Sequence, residues 1–352
     1  RSTLLASSAA SDVYKRQVTG RGISMNSYID MHCDTLQRTF TQGGSSLYDG
    51  EGMQSIKLMQ EAKQMCQFFA VFFPPRDVPY ADGTPRPAMP SDEEFFAILA
   101  ENLRKEAAMH RDVIAMAGNA ADIMNNWSKG LSSAVLTVED GRMVQGRMDR
   151  LLFLYEQGVR AIALTWNYAN CFGYPNSKEP EIMSKGLTDF GIEAIGEMNR
   201  LGIMVDVSHL SDGGFMDVAR YSTKPFIASH SNCRELTAHP RNLTDEMIRI
   251  LSEKGGVAGL NFCPDFVVPR GAQPDSTVGY LASHVLYMLK VGGEDCIALG
   301  TDFDGVSGHL EISHPTQMER LFDALHKKGL TQRQLDKFAS GNVLRVMKEC
   351  VI

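Results

Sequence analysis

Six side chains in this sequence are of types that hold or serve a divalent metal, and each one ends or follows an apolar run. His32 and Asp34 stand two apart in Ile29-Asp30-Met31-His32-Cys33-Asp34-Thr35. In a strand that spacing puts both side chains on one face and Cys33 on the other. An imidazole nitrogen beside a carboxylate oxygen suits a divalent ion such as zinc. Glu139 ends the run before Asp140-Gly141, and His209 ends Asp206-Val207-Ser208-His209. His230 ends Ala228-Ser229-His230, and Asp302 lies in Gly300-Thr301-Asp302-Phe303-Asp304-Gly305. One such pair arises easily by chance; six groups at the ends of five runs do not.

The elements that must position them alternate in type. Strands are predicted over 27–32, 67–73, 133–139, 159–165, 203–208, 225–230, 256–262 and 296–302. Several are continuous apolar runs, as expected of parallel strands buried on both faces. Helices are predicted over 91–117, 147–157, 188–201, 211–221, 244–254, 276–291 and 316–328, with two short ones in 331–349. Ser91 with Glu94 has capping-box spacing, and Thr244 reads as an N-cap. Loops are expected over 74–90, 171–187 and 264–275. Eight strand–helix units predict one α/β domain, a (β/α)8 TIM-type barrel, whose active groups collect at the C-terminal ends of the strands. A doubly wound open sheet is the alternative. It usually carries a Gly-rich turn after its first strand, where this chain has His32 and Asp34.

The ligand set exceeds the need of one zinc. Two divalent metal ions could share a bridging carboxylate. Glu139 is the natural bridge, with His32 and Asp34 on one ion and His209 and His230 on the other. Water held between the ions would act as hydroxide near neutral pH, and Asp302 would accept a proton and return it to a leaving amine. Asp140 competes with Glu139 for the inward place, and Asp304 with Asp302. His239, His309 and His314 fall in loops at the strand ends, whereas His110, His284 and His326 fall on helices and read as surface or packing residues.

The stretches IDMHCDT, LTVEDG, VDVSHLS, FIASHSNCRELTAHPRNLTDE, ALGTDFDG and SGNVLRVM, spread over residues 28–347, together resemble the renal (membrane) dipeptidase family of zinc peptidases in the amidohydrolase superfamily. The resemblance implies a metallo-dipeptidase acting on small dipeptides with free termini. It implies two zinc ions on His32, Asp34, Glu139, His209 and His230, and Asp302 as acid/base. It also implies that Arg241, in Pro240-Arg241-Asn242, binds the substrate carboxylate, which a planar guanidinium can do bidentately. One departure stands out. The family's His after Leu-Thr is replaced by Trp166, so Asn167 or Tyr168 is the expected donor to substrate or oxyanion, unless metal alone serves. Relatives often form homodimers, although no residue here signals one. Other readings are an N-acyl amino acid deacylase and a metal-poor, non-catalytic relative. A need for a free amine separates the first, and metal content the second.

Composition narrows the classes further. A net charge of −7 and 43% hydrophobic residues over 352 positions describe an ordinary globular chain without a nucleic-acid footprint. No apolar run is long enough to span a membrane. Seven cysteines, an odd number without a Cys-x-x-Cys, read as free thiols in a reducing compartment, hence a cytoplasmic protein. Residues 1–24 are polar and small, with no periodicity and only a feeble signal-like apolar stretch. They read as an extension foreign to the natural protein, with Met25 as its expected start and 25–352 as the domain.

Overall fold

The computed structural model describes residues 27–75 and 89–351. Residues 1–24 and most of the loop expected over 74–90 lie outside these. Eight strands run in chain order: β1 Ile29–Cys33, β2 Cys66–Phe72, β3 Ser132–Glu139, β4 Val159–Ala163, β5 Met204–Asp206, β6 Ile227–Ala228, β7 Val257–Leu260 and β8 Ile297–Leu299. All pair in parallel with their sequence neighbours, and β1 pairs with β8, so the sheet closes into a (β/α)8 barrel. The register aligns the ends that matter: Phe72 faces Glu139, Glu139 faces Ala163, and Ala163 faces Asp206.

Nearly every strand residue is buried, because helices cover the outside and side chains fill the inside. The interior cluster draws on every strand, with Met31, Phe68, Val135, Met204 and Ala298 among its members. Val343, Val346 and Met347 of the last helix, Asn342–Cys350, join it and close the end opposite the metal-ligand types. The helices start where their caps dictate. Ser91 and Glu94 form a capping box, and Thr188, Ser211 and Thr244 each accept a backbone N–H three residues on. Each such cap stabilises by about 1 kcal/mol.

Two local expectations are corrected. The helix predicted over 91–117 ends at Met109, and Ile114–Met116 is a strand paired with Ser132–Ala134. The first half of β3 extends beyond its pairing with β4, which begins at Leu136, so an open row of backbone groups is met by this extra strand. β1 is also not a regular strand. Asp30 faces Gln67 and Cys33 faces Phe69, so three steps along β1 match two along β2. A bulge re-aims side chains. Met31 stays in the interior cluster, Cys33 joins Phe69 in the outer core, and His32 between them turns to the site.

All seven cysteines are unpaired. No helix among the described residues is long and apolar enough to cross a membrane. His284 is fully packed: its Nδ1 accepts the Cys233 N–H, and its Nε2 lies 3.0 Å from the Val267 carbonyl. Burial pushes its pKa down to about 4. The unfolded chain titrates near 6.5 and therefore binds the extra proton first as pH falls, so this group costs stability between about pH 6.5 and 4. The full loss is about 3 kcal/mol. Denaturant unfolding of His284→Gln at pH 7.5 and pH 5 should show a shallower acid loss than the wild type; parallel losses would remove His284 from the acid response.

Candidate metal centre

The six residues singled out above meet at the C-terminal mouth of the barrel. His32 is in β1, and Asp34 follows it at the start of helix Thr35–Thr41. Glu139 is the last residue of β3, whereas His209, His230 and Asp302 lie in the turns just past β5, β6 and β8. Those turns are tight. His209 and Asp302 have φ of +69° and +65°, and so does Asp140, at +69°. Non-glycine residues held there store backbone strain of about 1 kcal/mol or more, a cost met mostly at functional sites. Gly305 is required for a different reason: a Cβ there would fall 2.0 Å from Asp34 Oδ2 and 2.5 Å from Asp302 Oδ1.

Glu139 sits at the centre. Its Oε2 is 3.5 Å from His32 Nε2, and its Oε1 is 2.9 Å from His209 Nε2 and 3.4 Å from His230 Nε2. His32 Nε2 is also 3.7 Å from Asp34 Oδ2 and 3.7 Å from Asp302 Oδ1. The His32 and His230 rings stack with centroids 3.8 Å apart. Among the described residues, three overlapping groups bring their ligand atoms within 4.8 Å: His32, Asp34 and Glu139; Glu139, His209 and His230; and His32, His230 and Asp302. The donor chemistry fits cations. His32 Nε2 and Asp34 Oδ1 are buried without a hydrogen bond among the described residues, and leaving such atoms unpartnered is costly.

Electrostatics follow from burial. Desolvation, reinforced by the Arg241 charge, pushes His209 down to about 4, and desolvation with the His32 charge holds His230 well below its ordinary value. Both rings are thus neutral, as metal ligands must be. Burial opposes ionisation of Glu139, but the neighbouring His32 charge, followed by its close contacts with the three imidazoles, holds it well below the usual range. Asp302 is pushed up to about 7 by burial, with the Asp34 and Glu139 charges adding to it.

Several supporting residues escaped the sequence reading. Asn261 Nδ2 donates to Asp302 Oδ2 at 2.9 Å. Asp30 accepts from the Thr301 N–H and hydroxyl, pinning the β8 turn to β1. Asp206 Oδ1 accepts from the N–H groups of Ser208 and Ser229. Their only sequence signal is position, a polar residue inside or just past an apolar run. Asp140 turns away from the centre to Asn170 and Arg142, and Asp304 binds the Met53 N–H, Thr35 and Arg38. His309 and His314 pair with Asp275 and Thr316.

Arg241 is buried beside the site. Its Nη1 donates to Ser231 Oγ, its Nη2 to the His230 carbonyl, and its Nε has no partner among the described residues. Trp166 stands between Phe72 and Tyr168, with its ring centroid 6.1 Å from that of His209. Tyr168 is exposed, and Asn167 directs its Oδ1 to His209 Nδ1 at 3.2 Å.

Fold and site together define a metal-dependent hydrolase on a (β/α)8 barrel. The sequence profile of the membrane dipeptidase family, peptidase family M19, matches residues 17–351, and the chain belongs to that family, a family of metallo-dipeptidases. A solved family M19 metallopeptidase, dipeptidase AC, is 26% identical, with a TM-score of 0.82 over 93% of this chain and 99% of its own. A metallopeptidase of Rhodobacter sphaeroides, solved with a phosphinate mimic of the dipeptide L-Ala-D-Ala, is 26% identical, with a TM-score of 0.80 over 93% of this chain and 100% of its own. An uncharacterised dipeptidase of Schizosaccharomyces pombe is 35% identical over 227 residues, 63% of this chain and 54% of that protein. The chain thus spans about half the length of the yeast relative.

Proposed function

We propose that this protein hydrolyses the amide bond of dipeptides with free amino and carboxyl termini, using two zinc ions. The observation that carries the reading is the position of Glu139, one oxygen toward His32 and the other toward His209 and His230. His32, Asp34 and Glu139 would hold one ion, and Glu139, His209 and His230 the other. When bound, such ions acidify water and polarise a carbonyl. The chain's own groups do the rest. Asp302 takes a proton from the attacking water and hands it to the amine nitrogen as the C–N bond breaks. Asn261 holds the carboxylate in place.

Arg241 has an unused buried donor and a guanidinium suited to the substrate's terminal carboxylate. The dipeptide mimic bound by the Rhodobacter sphaeroides relative supports a dipeptide as substrate and argues for including a C-terminal D-residue in any panel. The unpaired cysteines support a reducing compartment, the cytoplasm.

The test is amino-acid release from L,L and L,D dipeptides by zinc-loaded and chelator-stripped protein. Zinc-dependent release, absent with C-amidated and N-acetylated analogues, is expected. Release from N-acetyl amino acids alone would replace the dipeptidase reading with deacylation. In the same assay Arg241→Ala should raise KM on the order of 30-fold, about 2 kcal/mol, with kcat less affected. An unchanged KM would place carboxylate recognition elsewhere.

A further inference from the structure

We propose that Ser229 and Asn167 are positioning residues for the zinc site. Each accepts a hydrogen bond from the Nδ1–H of one histidine and thereby turns that ring's Nε2 lone pair toward Glu139 Oε1. The proposal rests on the zinc reading above and adds the groups that set the two rings.

The hydrogen-bond accounting leads there. Asn167 Oδ1, 3.2 Å from His209 Nδ1, is an amide oxygen that only accepts, so this nitrogen carries the proton. Ser229 Oγ lies 2.7 Å from His230 Nδ1 and donates its own proton to Ser208 Oγ at 3.3 Å. It therefore accepts from His230 Nδ1. Both Nε2 atoms then carry lone pairs, and they stand 3.1 Å apart. With Glu139 Oε1 at 2.9 and 3.4 Å, three acceptors converge with no proton among them. A cation is what satisfies such a cluster.

Ser229 is built to stay in place. Its N–H donates to Asp206 Oδ1. Its carbonyl oxygen is so close to the neighbouring strands that a Cβ on Gly259 or Gly300 would lie 1.9 or 1.7 Å from it. Those two glycines let the backbones close around Ser229 and fix its main chain. Asn167 differs: it lies on an exposed turn beside Trp166. Loss of Ser229 should therefore weaken zinc more than loss of Asn167.

The experiment is zinc competition against a chromophoric chelator for the wild type, Ser229→Ala, Asn167→Ala and Asn167→Asp. Outer partners of metal-bound histidines typically carry about 10- to 100-fold in affinity. We expect a loss in that range for Ser229→Ala and about tenfold for Asn167→Ala. Asn167→Asp, which keeps the acceptor oxygen, should recover affinity, and zinc-stripped Asn167→Ala should melt with the stripped wild type. Wild-type affinity in both alanine variants overturns the proposal while leaving the zinc reading intact. A wild type that binds no zinc overturns the zinc reading and this proposal with it. Should Ser229→Ala fail to fold, 15N-histidine NMR of the zinc-loaded wild type decides: His209 and His230 must show a protonated Nδ1, and a proton on either Nε2 overturns the assignment.

Discussion

Glu139→Gln is expected to fold, to lose at least one of the two metal ions proposed for the site, and to lose turnover by about a thousandfold or more. Glu139 is the one carboxylate common to two of the three ligand groups, which also share His32 and His230 pairwise. Its two oxygens reach the Nε2 atoms of three histidines from two sides. An amide has one neutral acceptor oxygen and an NH2 that would point its protons at ring nitrogens or at a cation. Lewis-acid activation contributes several kcal/mol to such reactions, and about 4 kcal/mol corresponds to a thousandfold. Fold stability should not suffer in proportion, because the substitution removes a buried charge from a site 2% exposed. Metal counting by emission spectrometry, with turnover on one dipeptide, checks the result. Two ions per chain with near-normal turnover would end the bridging role.

Asp302→Asn separates proton transfer from metal binding. The expected result is full zinc content with kcat reduced about 10²- to 10⁴-fold, the range for losing a general acid/base. The structure makes this a sharp test. Asp302 Oδ1 is as far from His32 Nε2 as Asp34 Oδ2 is, 3.7 Å in each case, so distance alone would admit Asp302 as a ligand. Its other oxygen is held by Asn261, which the Asn variant would retain only with its carboxamide turned oxygen-first. Loss of an ion together with turnover would move Asp302 into the ligand set. Near-normal turnover would remove it from the reaction.

Much of this was legible along the chain because the physics of a parallel barrel is repetitive. Each strand is buried on both faces and so appears as an apolar run, and the polar residue that follows a run is carried to the same rim as all the others. His32, Asp34, Glu139, His209, His230 and Asp302 could therefore be grouped without coordinates. Helix starts were equally plain where Ser91 and Thr244 offer an oxygen to the backbone three residues on.

The sequence by itself determined the fold class, the candidate ligand types and their order around the rim, since these depend on local burial pattern and residue chemistry. Only the tertiary structure decided which neighbours hold them. Asn261 meets Asp302 across 41 residues, and Asn167 meets His209 across 42. The bulge in β1 that sends Met31 and His32 to one side exists because β1 must register with β2. The strand Ile114–Met116 forms because the first half of β3 leaves backbone groups to pair. Each of these results from two segments satisfying one another's polar groups, and no property of either segment alone contains it.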